Sequence, residues 1–217
     1  MIKGLLREAR NRVLLRSAVF ALRRPLGPRG TRLALAALRR GWGNGHYSGH
    51  LEYLVEAFQR ASRASGPILE CGSGCSTIAL AVAAQRAGVR LTTLEHSREW
   101  FERIEGSLRE LGLDSTCLVW SSLRDFGEFE WYDVTVTNGE EPFAVVVCDG
   151  PPGGTRGGRA GLLARMKARL ARDTVILLDD AARDGEQQII SNWAESARLD
   201  VTMSTSAQGT FATITLL

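Results

Sequence analysis

The stretch Pro67-Ile-Leu-Glu-Cys-Gly-Ser-Gly-Cys-Ser-Thr-Ile78 decides the fold. Its apolar opening, residues 68–71, predicts a short buried strand; Gly72 and Gly74 predict a tight turn, and a helix starts near Ser76. Strand, glycine turn and helix form the local plan of a nucleotide site. The glycines let a ligand approach the backbone with no Cβ in the way, and the helix aims free N–H groups and its positive dipole end at whatever lies above. Ser73, Ser76 and Thr77 add hydroxyls. A dinucleotide fingerprint would carry a third glycine where Thr77 stands. Glu70 would be an awkward anion beside a pyrophosphate but suits a cationic amine. A ligand with an amine, a carboxylate and a ribose but no phosphate fits better, with a plain glycine turn as the competing reading.

Outward from this turn, helical and strand patterns alternate to the C-terminus. Residues 77–86 read as a helix closed by Gly88, and 91–94 as a strand ending in Glu95-His96. A carboxylate about 20 residues past the turn is placed to accept hydrogen bonds from ribose hydroxyls. Residues 97–111 form an amphipathic helix and 116–120 a third strand, with Ser121 and Ser122 at its tip. Residues 129–141 alternate through Trp131, Tyr132, Val134 and Val136 to Asn138-Gly139, which predicts an inserted β-hairpin decorating the core. The unbroken apolar run 143–148 suits a central parallel strand, and it ends in Asp149-Gly-Pro-Pro-Gly-Gly154. A helix over 161–170 precedes a strand over 173–178 ending in Asp179-Asp180, and a further helix covers 185–197. Strands 201–204 and 211–216 are joined by a loop short enough to allow only an antiparallel pair.

In order and spacing, residues 66–217 resemble the class I S-adenosylmethionine-dependent methyltransferases. The resemblance is carried by an acid followed by Gly-x-Gly (Glu70, Gly72, Ser73, Gly74), the strand-tip acid Glu95, the Asp149-Gly-Pro loop and the closing antiparallel hairpin. It implies an α/β, Rossmann-like three-layer sandwich whose mostly parallel seven-stranded sheet has an antiparallel C-terminal strand. It also implies S-adenosylmethionine as cofactor, held by Glu70, Gly72, Ser73, Gly74, Ser76, Thr77, Glu95, His96, Ser121, Ser122 and Asp149. Methyl transfer to a small-molecule acceptor follows, with O-methylation preferred and N-methylation open.

Asp149, Asp179 and Asp180 would gather three carboxylates at neighbouring strand ends. Like charges raise one another's pKa unless a cation neutralises them, and Mg²⁺ or another hard divalent ion would do so. The trio resembles the metal site of catechol-type O-methyltransferases, which implies Asp149 and Asp179 as catalytic residues. Asp180 stands where that family has asparagine, however, and no lysine follows Asp149. Arg156 and Arg159 follow in the loop and are expected either to hold an acidic acceptor, with Arg156 the first candidate, or to be solvated loop charges. Two other classes compete. An NAD-dependent oxidoreductase is opposed by Thr77 and the antiparallel end; a non-catalytic nucleoside-binding scaffold would use the basic arm instead.

That arm sets the N-terminus apart. Of the 217 residues, the first forty carry Lys3 and ten arginines against Glu8, a balance of +10, while the rest hold 16 basic and 23 acidic side chains. Residues 1–50 are expected to form a basic helical arm, broken at Pro25-Leu-Gly-Pro28, with a second helix over 31–40 ending at Gly41. A glycine-rich lid segment follows, and 51–217 form the methyltransferase domain, opening with a helix over 51–60. Trp42, Asn44, Tyr47 and Ser48 are candidate acceptor-pocket residues, and His46 or His50 a weaker candidate base. Three readings of the arm stand open: packing as a lid or dimerisation element, contact with an anionic membrane or polyanion, or a transit-like leader. The acidic body argues against nucleic acid as a partner. The four cysteines, Cys71, Cys75, Cys117 and Cys148, sit in apolar runs without metal-finger spacing, as buried thiols of a reducing cytoplasm would. No apolar run approaches the ~20 residues of a membrane span.

Overall fold

The computed structural model describes residues 2–43, 49–134 and 141–217, including the side chains of all but residues 2, 3 and 5. Asn44, His46, Tyr47 and Ser48, and the hairpin tip at Asn138-Gly139, lie outside the described residues.

Two helices open the chain, α1 (Ile2–Leu22) and α2 (Pro28–Trp42). The second does not end at Gly41 as expected but at Gly43, whose φ of +76° is the left-handed conformation of a helix cap. Gly41 has another task. A Cβ there would stand 2.8 Å from the Leu15 nitrogen and 2.9 Å from the Asn11 carbonyl oxygen, so its bareness lets the two helices touch as an antiparallel pair. Next comes α3 (Leu51–Ala61), capped by His50, whose Nδ1 accepts from the Tyr53 N–H at 3.4 Å.

The remaining elements alternate as β1 (Ile68–Cys71), α4 (Cys75–Ala87), β2 (Leu91–Glu95), α5 (Arg98–Glu110), β3 (Leu118–Trp120), β4 (Leu123–Asp125), β5 (Glu130–Tyr132), β6 (Phe143–Cys148), α6 (Gly161–Met166), β7 (Leu170–Leu178), α7 (Asp184–Ser196), β8 (Leu199–Ser206) and β9 (Gly209–Leu216). Seven strands form one sheet in the order β3-β2-β1-β6-β7-β9-β8. The first five run parallel, and β9 runs antiparallel to both of its neighbours. A dinucleotide-binding domain would instead close with a parallel strand reached through a crossover helix.

Pleating sends alternate side chains to opposite faces. Ile68, Val145, Val147 and Leu177 pack with α3, α4 and α5, and in the same cluster lie Val19, Leu22, Leu35 and Leu38 of the first two helices. Leu69, Val146, Cys148 and Ile176 pack with α6 and α7 on the other face, giving three layers. All four cysteines are buried and free.

Two expectations need correction. The described part of segment 129–141 pairs backwards, Leu123 opposite Tyr132 and Asp125 opposite Glu130. It is not decoration: Trp131 and Tyr132 are fully buried in the second core. Helix α6 is also shorter than expected, because a single 3₁₀ turn (Lys167–Arg169) leads into a strand that begins at Leu170.

Candidate active site

In a parallel sheet the ligand crevice lies beyond the carboxyl ends of the strands, where the order reverses. Here that point lies between β1 and β6, and a cavity of about 1060 Å³ opens there. A second hollow of about 540 Å³ sits at the opposite strand ends, around Ala144, Val145 and Asp173. None of the glycine-turn or strand-tip acids reaches it.

One half of the crevice lies over β1 and β2. Gly72 turns with φ +84°, and a Cβ on it would meet the Gly150 nitrogen and Cα at 2.9 Å. The two strand ends therefore meet backbone to backbone. The Cys71 carbonyl fixes this junction by accepting from the Asp149 and Gly150 N–H groups at 3.1 and 2.7 Å. Glu95 reaches under the turn: its Oε2 accepts from the Ser73 N–H at 3.0 Å and hydroxyl at 2.7 Å, and its Oε1 from the Ser97 N–H at 2.8 Å. Nδ1 of His96 stands 3.3 Å from that Oε1. Burial alone would raise the Glu95 pKa, but His96, Ser73 and Ser97 outweigh it and hold the carboxyl below its ordinary range. Trp100 closes this side, its Nε1 donating to the Ser73 carbonyl.

The other half lies over β6 and β7. Asp149 and Asp179 stand at the strand ends, and Asp180 takes a φ of +57°, which aspartate tolerates better than most residues. Its N–H donates to Asp179 Oδ1 at 2.9 Å. Asp179 is nearly enclosed; burial first, then the Asp149 charge, pushes its pKa up to about 7. On its far side His50 Nε2 stands 3.8 Å from Asp179 Oδ1, and burial lowers the imidazole's pKa.

A cation lies among these carboxylates, and it is Arg159. Its Nη2 donates to the Asp149 carbonyl at 2.7 Å and to Asp149 Oδ1 and Asp180 Oδ2 at 3.3 Å each. Its Nη1 donates to the Asp179 carbonyl at 2.7 Å and to Glu186 Oε1 at 3.1 Å. The side chain is only 2% exposed. Two of the three expected metal ligands thus already hold a guanidinium. Among the described residues no group of three or more His, Cys, Asp or Glu is arranged to hold a metal ion. As these side chains are placed, the positive charge that the sequence reading sought in a metal is supplied by an arginine.

Of the residues expected to hold the cofactor, Gly72, Ser73, Glu95, His96 and Asp149 line the cavity; Glu70, Gly74, Ser76, Thr77, Ser121 and Ser122 do not. Glu70 is fully buried beside β2, accepting from the Thr93 hydroxyl at 2.8 Å, and burial carries its pKa up to about 7 despite hydroxyls from Ser76, Thr77 and Thr93. The Thr77 hydroxyl accepts from the Gly74 N–H at 2.9 Å and caps α4. Ser121 donates to the Asp133 carbonyl at 3.1 Å, and the Ser122 carbonyl accepts from the Asp133 N–H at 3.0 Å, so both tie down the chain after β5. Trp42 is buried edge-on against Trp100, ring centres 6.0 Å apart, behind the wall rather than in it. Arg156 sits at the surface, paired with Asp125, away from the cavity.

Trp100, Tyr132 and Gly209 are among the wall residues that the sequence reading did not place at the site, and Arg159 was expected to contact an acceptor rather than to pair with the carboxylates. Trp100 and Tyr132 read as ordinary core positions, and Arg159 cannot be told from Arg156 without knowing which is buried. Gly209 reads only as a hairpin turn.

The crevice suits a polar, cationic ligand. Glu95, Glu99, Asp149, Asp179 and Asp180 outnumber Arg39, Arg159 and Arg183 on its walls. Among the described residues, four of the wall, His50, His96, Tyr132 and Arg159, carry a buried nitrogen or oxygen with no hydrogen-bond partner. A molecule with an amine, a charged sulfur and ribose hydroxyls fits such a lining.

No protein-family model matches the sequence, and no curated relative does. Solved structures do match in fold. A Podospora anserina methyltransferase bound to SAH superposes with a TM-score of 0.62 at 15% identity, covering 84% of this chain and 86% of that one. An O-methyltransferase from Bacillus cereus in complex with SAH gives 0.57 at 18%, covering 84% and 90%. The O-methyltransferase TomG of Streptomyces achromogenes, involved in tomaymycin synthesis and in complex with SAM, gives 0.58 at 17%, covering 85% and 88%. The chain therefore carries the fold of these cofactor-bound methyltransferases.

Proposed function

We propose that the protein is an S-adenosylmethionine-dependent methyltransferase that methylates an oxygen of a small-molecule acceptor, with Arg159 in place of a divalent metal. The observation that carries this reading is the convergence of the glycine turn, Glu95 and the Asp149–Asp179 pair on one acid-rich crevice. S-adenosylmethionine, when bound, supplies a methyl group on a positively charged sulfur. Gly72, Ser73, Glu95 and His96 would hold it, with Glu95 receiving the ribose.

The protein's remaining task is placement and proton removal. Asp149 and Asp179 orient the acceptor hydroxyl. The neutral His50 imidazole and Asp179, 3.8 Å apart, hold the proton that the hydroxyl gives up as its oxygen takes the methyl. Arg159 keeps the carboxylates from repelling one another, the task expected of a metal.

The test is thermal unfolding with S-adenosylmethionine, S-adenosylhomocysteine or NAD added separately. A ligand at ~100 times its dissociation constant stabilises by ~2.7 kcal/mol, which is roughly 5–10 °C at this size. A rise with the adenosyl-sulfur compounds alone supports the cofactor; a rise with NAD alone overturns it. Methyl transfer to simple phenols should then survive exhaustive chelation. Loss with chelator and recovery with Mg²⁺ would refute the role given to Arg159.

A further inference from the structure

We propose that the outward face of the α1–α2 hairpin docks on an anionic lipid surface. The inference is independent of the methyl-transfer reading and rests on other residues.

Leu6, Val13 and Phe20 are 66%, 64% and 57% exposed. They recur every seventh residue, so on a helix they fall in one stripe that drifts only about 20° per repeat. Packing on the protein does not explain the stripe, because the opposite side of α1 supplies the buried contacts through Leu15, Ala18, Val19 and Leu22. Single exposed apolar side chains are ordinary. Here, however, half of the eight large exposed ones among the described residues (these three and Leu33 of α2) belong to the hairpin.

The charges around the stripe identify the occupant. Arg10 and Arg16 flank it on either side, with Arg7 and Arg12 beyond, all exposed and none in an ion pair among the described residues. Arg24 lies over the Phe20 ring, 4.4 Å from its centre. A second copy of the chain would bring the same row of arginines against itself, so self-association through this face is repelled. A nucleic acid would take the arginines but leave Leu6, Val13 and Phe20 in water. An anionic bilayer takes both: apolar side chains enter the headgroup boundary while arginines reach phosphates alongside. Among the described residues no helix is long and apolar enough to cross a membrane, so the hairpin would lie on the surface.

The test is flotation of the full chain with vesicles of phosphatidylcholine alone or of phosphatidylcholine mixed with phosphatidylglycerol. The wild type is expected to float only with the mixed vesicles and to release as salt rises. The triple variant Leu6→Ser, Val13→Ser, Phe20→Ser changes only exposed side chains and should unfold at the same temperature, yet lose roughly a hundredfold in partitioning. Equal flotation of variant and wild type would reduce the effect to charge and overturn the stripe's role. Equal binding to neutral vesicles would overturn the anionic surface. Absence of flotation, whether with a dimer in sedimentation or with retention on DNA, would overturn the proposal outright.

Discussion

The two halves of the crevice are built differently. Over β1 and β2, the turn, Ser73 and Glu95 satisfy one another within a stretch of fewer than thirty residues, almost entirely by hydrogen bonds to and from the backbone. Over β6 and β7, the titratable side chains come from four separated places, His50, Asp149, Arg159 and Asp179–Asp180, with Glu186 behind them. The first half is a motif; the second is an assembly, held by one buried arginine. A motif tolerates change elsewhere in the chain, whereas an assembly depends on every segment that feeds it.

The largest test of that contrast is Arg159→Ala. It leaves Asp149, Asp180 and Glu186 without their enclosed cation, and breaking a buried pair this way costs roughly 3–5 kcal/mol. Calorimetry should show the melting temperature falling by roughly 10 °C or more. A fall of a degree or two would mean that the second half does not depend on this residue.

Glu70 probes the scaffold beneath the first half. Its folded pKa of about 7 lies above its ordinary 4.5, so the folded state holds the proton more tightly. That stability is fully present below about pH 4.5 and is lost as pH rises through about 7. The span corresponds to roughly 3 kcal/mol. Urea titrations at several pH values should show the Glu70→Gln protein with a flatter profile than the wild type. Parallel profiles would place the proton elsewhere, Asp179 being the other group carried to about 7.

A smaller effect is expected from Glu95→Gln. Removing the charge weakens the acceptor in the first half, and calorimetric titration with S-adenosylhomocysteine should lose roughly ten- to hundredfold in affinity. Unchanged affinity would mean that Glu95 serves only the turn. The smallest effect belongs to Arg156→Ala. Its partner Asp125 is exposed too, and an ion pair screened by water contributes little. Turnover should not change; a loss would bring Arg156 back as an acceptor contact.

The same contrast explains what could be read beforehand. The sheet was legible because its strands are apolar runs ended by glycines and acids, and because the loop before Gly209 permits only an antiparallel return. Gly72, Ser73 and Glu95 were legible because their partners are near in sequence. Arg159 was legible only as one of two loop arginines for an acidic acceptor, not as the enclosed cation: two arginines three residues apart in a glycine-rich loop look alike until one is enclosed. His50 was named only as a weak candidate base; it caps α3 in place of the Ser, Thr, Asp or Asn that signals a helix start, so its place beside Asp179 had no local signal. Gly41 was read as the helix end for a similar reason, since a packing glycine and a capping glycine differ only in what lies opposite.

At the seam between the halves Gly72 lies against Gly150, main chain on main chain. Side chains can yield by changing rotamer, but two bare backbones in van der Waals contact have nothing to rotate. A displacement of the Asp149 loop is therefore handed directly to the glycine turn, and the reverse. The seam behaves as a keyed joint, in which neither glycine can gain a side chain without the opposite loop being recut to receive it.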